Sequence, residues 1–169
     1  RSHILELESR VKPEDAACMI FTSGTTSLPK GILLSHEQLI NNSRAMVEAM
    51  HWGASDKMCI TVPLFHCFGI TAGVIACITG GMDMCLIPYF RTAHVWDAID
   101  QYKCTILNGV PSMFLALIRK PQYAQRKAPK LKSGIIAGSP CTPEDFLEIC
   151  RRFPHMHLQP SYGQTETSP

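Results

Sequence analysis

The sequence lacks any pair of cysteines in the C-x-x-C spacing, although it contains eight cysteines in 169 residues. Structural zinc sites and disulfide frameworks usually rely on closely spaced cysteines, so both are disfavoured here. The cysteines lie mostly within apolar stretches, which is typical of small buried side chains in a reducing compartment. We therefore expect a protein of the cytoplasm or of an organelle matrix.

The sequence also lacks a large excess of one charge and lacks long apolar runs. The 16 basic and 14 acidic residues are spread along the chain and give a formal net charge of +2. Without a polybasic stripe, nucleic acid is not an expected partner. The longest apolar stretch, residues 69–78, contains Thr71 and Gly73 and is shorter than the roughly 20 residues that span a bilayer. We interpret it as a buried helix and predict no transmembrane segment.

Apolar side chains are plentiful, at 46% of the residues against 18% charged. This composition is sufficient for the core of one globular domain. Residues 1–15 are polar and contain Pro13, so we predict a linker or edge segment there and an ordered core over residues 16–169. The sequence begins without Met, resembles no targeting segment and stops at Pro169, so we expect a fragment of a longer protein.

Apolar runs of strand length alternate along the core with longer segments of helical period. The predicted strands are 18–22, 32–34, 58–62, 84–87, 105–107, 134–137 and 158–162. The predicted helices are 37–50, 68–78, a helix capped by Thr92 and ending at 102, 111–119, and 142–153, with a surface excursion at 121–132. This alternation predicts an α/β fold with a doubly wound, mostly parallel sheet and flanking helices. Ligands of such sheets bind beyond the carboxyl ends of the strands.

The first two predicted strands are joined by a run of small hydroxyl residues and glycines that closes on a lysine, residues 22–31. Hydroxyl and backbone N–H donors suit a polyphosphate, Gly24 permits close approach of the backbone, and Lys30 supplies positive charge. The run is not a Walker A loop, because Lys30 is followed by Gly31 and an apolar strand. From the residues alone, a solvated hairpin with a surface lysine explains the run equally well.

Three further polar features lie beside predicted strands. Glu166 follows the last strand, and a carboxylate beside the Thr165 hydroxyl suits Mg²⁺–phosphate chemistry, although an exposed loop acid is the simpler interpretation. Residues 138–140 follow another strand and also suit a turn that leads into a helix. His66 lies between a strand and a helix, where a histidine most often packs or caps.

The stretch 21–31 resembles the phosphate-binding signature of the adenylate-forming (AMP-binding) superfamily, which includes acyl-CoA synthetases, beetle luciferases and peptide-synthetase adenylation domains. Four more stretches of the sequence match in the expected order: 63–69, 109–112, 137–140 and 162–166. The similarity covers residues 17–169 and is greatest to the fatty-acid–CoA ligases. It implies the central part of a large N-terminal domain, with the phosphate loop on a strand–loop–strand hairpin and a separate C-terminal domain.

The resemblance also implies roles for individual residues. Thr165 would contact the α-phosphate of ATP, Glu166 would bind Mg²⁺, and the loop would hold the other phosphates. The implied cofactor-binding residues are Ser23, Gly24, Thr25, Thr26, Lys30, Gly138, Ser139, Pro140, Tyr162, Gly163 and Thr165. The implied catalytic residues are Lys30, His66, Thr165 and Glu166. Ser27 departs from the family, which commonly has glycine at this position, so the loop here would be less free to move.

The implied reaction is ATP-dependent activation of a carboxylic acid, by resemblance a fatty acid, to an acyl-adenylate, followed by thioester formation with coenzyme A. Acyl- and aryl-activating members place a histidine near the substrate carboxylate, whereas amino-acid-activating members typically place an aspartate there. His66 therefore favours an acid without an α-amino group. The expected partners are this acid, ATP, Mg²⁺ and coenzyme A, and oligomer formation is left open.

The family also uses a ribose-binding aspartate and a lysine on a mobile C-terminal domain, both downstream of the segment that contains Glu166. By that resemblance, the present 169 residues are expected to bind ATP phosphates but to be inactive alone. Three alternatives remain from the sequence. In the first, the acyl acceptor is not coenzyme A but a carrier-protein thiol, or oxygen as in luciferases. In the second, the chain is a relative that binds a nucleotide without turnover. In the third, it is a purely structural α/β domain.

Overall fold

The computed structural model describes residues 2–22 and 28–168. The strands are β1 (Ala16–Thr22), β2 (Lys30–Ser35), β3 (Lys57–Ile60), β4 (Asp83–Leu86), β5 (Ile106–Asn108), β6 (Ser133–Ile136) and β7 (His157–Pro160). The α-helices are α1 (Ser2–Glu8), α2 (His36–Ala49), α3 (Cys67–Gly69), α4 (Ala76–Gly80), α5 (Thr92–Tyr102), α6 (Pro111–Ile118) and α7 (Pro143–Arg152). A π-helical segment, Ile70–Ile75, joins α3 to α4, and 3-10 turns occur at Pro121–Tyr123 and Thr165–Thr167.

Two sheets are present in the described part of the chain. β1 and β2 form an antiparallel hairpin, and the other five strands form a parallel sheet in the order β4-β3-β5-β6-β7. From β3 the chain goes to β4 on one side and then crosses over to β5 on the other. Such a reversal leaves a crevice beyond the carboxyl ends of the strands. The predicted doubly wound, mostly parallel α/β fold is confirmed.

Successive side chains of the parallel strands belong to two different cores. In β3, Met58 and Ile60 pack in a cluster with the α3–α4 region, whereas Cys59 packs in a cluster with Trp96 of α5 and Phe114 of α6. This alternation follows from the period of two along a strand. Because helices cover both faces, every position of such a strand can be apolar, which explains the continuous apolar runs in the sequence.

The N-terminal segment, residues 1–15, which we predict to be a linker or edge segment, contains the helix α1. The prediction that Thr92 caps α5 is wrong, because Arg91 holds the cap position and no described side chain caps this helix. The Thr92 side chain is instead buried, and its hydroxyl accepts a hydrogen bond from Lys120 Nζ at 3.2 Å.

The predicted helix over residues 68–78 is present, but its centre is π-helical rather than α-helical. Two backbone carbonyls of this segment are hydrogen-bonded by side chains of neighbouring elements. Ser43 Oγ donates to the carbonyl of Thr71, and Asn108 Nδ2 donates to that of Ala72, each at 2.9 Å. These buried bonds stabilise a wider turn that the helix alone would form poorly.

All eight cysteines are free thiols, four of them buried and four partly buried. This distribution agrees with the prediction that they serve mainly as small apolar side chains. Among the described residues, no helix combines the length and the apolar character needed to cross a membrane.

Asp56 connects three strands at the amino ends of the parallel sheet. Its carboxylate is 2% exposed and accepts hydrogen bonds from Lys132 Nζ at 2.8 Å, Thr105 Oγ1 at 2.7 Å and the backbone N–H of Gly53 at 3.1 Å. Burial raises the pKa of Asp56, but these hydrogen bonds and the charge of Lys132 together outweigh it, so the pKa lies below its ordinary value. The ionised form therefore stabilises the fold.

Replacing Asp56 by asparagine is expected to lower the free energy of unfolding at pH 7 by about 2 kcal/mol, because charge-assisted hydrogen bonds are lost. The pKa of Asp56 is lower in the folded protein than in the unfolded chain. The extra free energy of unfolding of the wild type is therefore fully present above about pH 4, and it declines as the pH falls through the pKa of the folded state. Urea unfolding of both proteins at pH 7 and in acid measures this. Asp83→Asn, which breaks an exposed pair with Lys57, is the control and should cost less than about 1 kcal/mol. A loss independent of pH would contradict the assignment.

Candidate active site

A cavity of about 880 Å³ lies beside the carboxyl ends of the parallel strands. Its walls come from the end of β1, from α2, from the segment around α3, and from the segments that follow β6 and β7. This is where a doubly wound sheet is expected to bind its ligand. Six of the residues that the sequence singled out line this one cavity: His66, Gly138, Tyr162, Gly163, Thr165 and Glu166.

His66 ends the connection that follows β3 and is the N-cap residue of α3. Its Nδ1 accepts a hydrogen bond from the backbone N–H of Phe68 at 3.1 Å. The capping interpretation of this histidine is therefore correct, and the same residue also lines the cavity. Because Nδ1 acts as the acceptor, the proton of the neutral ring is on Nε2, which remains a hydrogen-bond donor.

Gly69 allows the His66 segment to pack closely against the end of β3. A Cβ atom at position 69 would lie 2.2 Å from the carbonyl oxygen of Pro63, which is well inside van der Waals contact. The same Pro63 carbonyl accepts a hydrogen bond from the backbone N–H of His66 at 3.1 Å. Any side chain at residue 69 would force this turn apart and displace His66.

Cys67 lies between His66 and Thr165 and contacts both. Its Sγ is 3.6 Å from His66 Nδ1 and 3.5 Å from Thr165 Oγ1, and the residue is 1% exposed. Thr165 begins the 3-10 turn Thr165–Thr167 and is itself 8% exposed. The thiol thus fixes the Thr165 hydroxyl relative to the imidazole. Sequence reasoning missed this role, because a cysteine in an apolar stretch is ordinarily a packing residue.

The segment after β7 brings one carboxylate to the cavity wall. The backbone N–H of Ser161 continues the ladder by donating to Ile136 at 3.0 Å, and Tyr162, Gly163 and Glu166 then follow along the wall. In the described part of the chain, no three His, Cys, Asp or Glu side chains are grouped as ligands of a metal ion. A single exposed carboxylate fits Mg²⁺, which is commonly held by one or two carboxylates together with substrate phosphates and waters.

Only the first residue of the 138–140 segment lines the cavity. Gly138 has a φ of +87°, which favours glycine, and a Cβ atom there would lie 3.0 Å from Val110 Cγ1. Ser139 and Pro140 are exposed and lead into α7. The cap residue of α7 is Thr142, whose Oγ1 accepts from the backbone N–H of Asp145 at 3.1 Å.

The predicted phosphate loop connects β1 to β2 in the sequence. Ser23, Gly24, Thr25 and Thr26 lie outside the described residues. Thr22 lines the cavity and is the direct partner of Lys30 across the hairpin, so their Cα atoms are about 5 Å apart. The Lys30 side chain is exposed and forms no ion pair with a described carboxylate. Lys30 does not itself line the cavity, but Thr22, its partner across the hairpin, does.

No individual role was assigned from the sequence to the other residues of the cavity wall. Asn42 and Met46 reach it from α2, and the apolar remainder comes from other elements of the fold, including Phe68, Ala72, Ile135 and Ala137. The one signal in the sequence is the spacing of Asn42 and Met46, which places them four residues apart on a single helix face.

A family model described as AMP-binding enzyme matches residues 3–169. The chain is 41% identical to YngI of Bacillus subtilis, named as a candidate acyl-CoA synthetase, over 167 residues that are 97% of this chain and 30% of that protein. It is 36% identical to the mitochondrial medium-chain acyl-CoA ligase ACSF2 of Homo sapiens over 154 residues, 88% of this chain and 25% of that protein.

Among solved structures, o-succinylbenzoate coenzyme A synthetase (MenE) from Bacillus subtilis, in complex with ATP and magnesium ion, superposes with a TM-score of 0.82. The sequence identity is 26%, and the match covers 94% of this chain and 32% of that one. The chain therefore spans less than a third of the length of each of these proteins.

Proposed function

The chain belongs to the AMP-binding enzyme family, and from that premise we propose that the full-length protein activates a carboxylic acid with ATP and transfers the acyl group to coenzyme A. The observation that carries the proposal is the convergence of His66, Thr165 and Glu166 on one cavity beside the β1–β2 hairpin. The relatives support it, because YngI and ACSF2 are named for acyl-CoA synthetase or ligase activity.

We place the substrate carboxylate beside His66. The neutral imidazole keeps one N–H donor on Nε2, which suits a carboxylate oxygen as acceptor. The adjoining wall contains Phe68, Ala72 and Ile135, which suit an acyl chain rather than a charged amine. The substrate class is thus a fatty acid without an α-amino group.

We assign ATP to the polar side of the cavity. Lys30 and the hairpin residues Ser23, Gly24, Thr25 and Thr26 hold the β- and γ-phosphates, and the Thr165 hydroxyl hydrogen-bonds the α-phosphate. Gly138 and Gly163, with no side chains, leave room for the nucleoside, and the exposed Tyr162 ring flanks the base. Ser139 and Pro140 shape the turn behind Gly138 rather than contacting the nucleotide through side chains.

Glu166 is the residue that would hold Mg²⁺. When bound there, the ion neutralises phosphate charge and orients the phosphate oxygens. Glu166 follows Thr165 directly, so one short turn presents both the carboxylate and the hydroxyl to the phosphates.

The reaction has two steps. In the first, a carboxylate oxygen of the acid attacks the α-phosphorus of ATP, the bond to the β-phosphate oxygen breaks, and pyrophosphate leaves. In the second, the thiol of coenzyme A attacks the acyl carbon, loses its proton and displaces AMP. Neither step needs a nucleophile from the protein. The side chains contribute by positioning the reactants and by stabilising charge on the phosphates.

Pyrophosphate release by the full-length protein, measured over fatty, aryl and amino acids, tests this proposal. We expect the highest kcat/KM with a fatty acid and formation of its coenzyme A thioester. Preference for an amino acid would refute the assignment of His66, and the absence of release with every acid would refute the proposed activity.

His66 has two functions that one pair of variants can separate. Both His66→Ala and His66→Asn are expected to lower kcat/KM for the acid by about 10- to 100-fold, since one hydrogen bond to a charged group is lost. Asparagine is a good cap residue, so it should recover the roughly 1 kcal/mol of stability that alanine loses. Steady-state kinetics and urea unfolding of both variants measure the two effects. If asparagine restored activity together with stability, His66 would be a cap only.

A further inference from the structure

The cavity has a continuous apolar wall next to the position of the substrate carboxylate. Phe68, Ala72 and Ile135 belong to one buried cluster, and Met46 packs against that cluster. All four residues line the cavity. His66 and Phe68 lie at the start of the same helix, so an acid whose carboxylate contacts His66 extends its chain along this wall.

Asn42 places a polar group in this wall. It precedes Met46 by one helical turn on α2, so both side chains leave the same face of the helix, and both line the cavity. The carboxamide of Asn42 has two N–H donors and one carbonyl acceptor, yet it forms no hydrogen bond with any described residue. Its neighbour Ser43 is different, because the Ser43 hydroxyl is buried and paired with the carbonyl of Thr71.

An amide that has no hydrogen-bond partner among the described residues affects which chains fit. An unsubstituted alkyl chain packed over Asn42 removes water from the amide and gives it no hydrogen bond in return, which is unfavourable. A hydroxyl group on the chain can both donate to and accept from the amide, and an oxo group can accept from its N–H. A site that hydrogen-bonds a substrate hydroxyl discriminates strongly against the analogue without it.

Given the proposed function, on which this step rests, we propose that Asn42 selects acids that carry a hydroxyl or oxo group on the chain over the unsubstituted acid of equal length. The substrate class is then a hydroxy or oxo fatty acid, with the carboxylate at His66 and the substituent at Asn42. Met46 and Ala72 provide the apolar contacts for the methylene groups nearby.

The test compares the full-length wild-type protein with Asn42→Leu, a change of similar size that removes the hydrogen-bonding group. Pyrophosphate release gives kcat/KM for octanoate and for each positional isomer of hydroxyoctanoate. We expect the wild type to prefer at least one isomer over octanoate by about 10-fold or more, and Asn42→Leu to abolish this preference. The matched control is Asn41→Leu, at the exposed adjacent position of α2, which should leave the ratio unchanged.

The outcomes separate this proposal from the proposed function. The selection by Asn42 is overturned if the ratio of kcat/KM for hydroxyoctanoate to that for octanoate is equal in the wild type and Asn42→Leu. It is also overturned if the variant raises the KM for ATP and leaves this ratio unchanged. Either result leaves adenylation intact. Absence of pyrophosphate release with every acid overturns both. Circular dichroism shows whether Asn42→Leu is folded; if it is not, Asn42→Ala takes its place in the same comparison, with the same expected loss of preference.

Discussion

Replacing Lys30 with alanine is expected to lower kcat/KM for pyrophosphate release by about 100- to 1000-fold, the loss typical for removing one group that stabilises transition-state charge. Lys30 starts β2 opposite Thr22, whose side of the hairpin borders the cavity, and no described carboxylate neutralises it. Its charge is therefore available to the phosphates. Steady-state kinetics with varied ATP at saturating acid measures the effect, and Lys30→Arg should recover only part of it because the guanidinium has a different shape.

The control for this variant is Lys127→Ala, which removes an exposed lysine from the segment between the 3-10 turn Pro121–Tyr123 and β6. It should leave the kinetics unchanged. The Lys30 side chain is exposed, so its loss should also leave the unfolding transition nearly unchanged. Full activity of Lys30→Ala would mean that the hairpin is a solvated turn with a surface lysine, which the residues alone left as an equal interpretation.

Glu166→Gln is the second change with a large expected effect. Glutamine keeps the size of the side chain and removes its charge, so a metal that relies on this carboxylate should bind more weakly. We expect kcat/KM to fall by about 100-fold at a fixed, moderate Mg²⁺ concentration, and the Mg²⁺ concentration for half-maximal rate to rise by about 10-fold or more. Titration of the pyrophosphate-release rate with Mg²⁺ measures both values.

Glu144→Gln is a matched control, since Glu144 is an exposed carboxylate in the first turn of α7, away from the cavity lining. Its Mg²⁺ dependence should equal that of the wild type. The assignment of Glu166 would be wrong if Glu166→Gln also showed the wild-type Mg²⁺ dependence, because an exposed loop acid with no metal contact would behave in that way.

Much of the fold could be predicted from the apolar pattern because both faces of the parallel sheet are covered. Residues 58–60 of β3 are then all apolar, and the alternation of such runs with helical segments indicated the doubly wound order. The π-helical segment Ile70–Ile75 could not be predicted. It depends on hydrogen bonds from Ser43 and Asn108, which are distant in the sequence and become neighbours only in the fold. For the same reason the sequence could not show that Thr92 is not a cap residue, because its hydroxyl accepts a hydrogen bond from Lys120, which is distant in the sequence.

The polar end of the candidate site could also be predicted, because carboxyl ends of parallel strands meet at one edge of a sheet. His66, Gly138 and Thr165 follow three different strands, and all three line the cavity. The positions of Cys67 and Asn42 could not be predicted in this way. Each depends on the rotation of a helix about its axis, which is fixed by packing against residues from other parts of the chain.

Exchange of radiolabelled pyrophosphate into ATP, measured with the full-length protein in the absence of coenzyme A, tests most directly whether the cavity at His66, Thr165 and Glu166 forms acyl-adenylates. Exchange should require both a fatty acid and Mg²⁺, should proceed without a thiol acceptor, and should be nearly abolished by Lys30→Ala. ATP binding with no exchange for any carboxylic acid would contradict adenylation at this site.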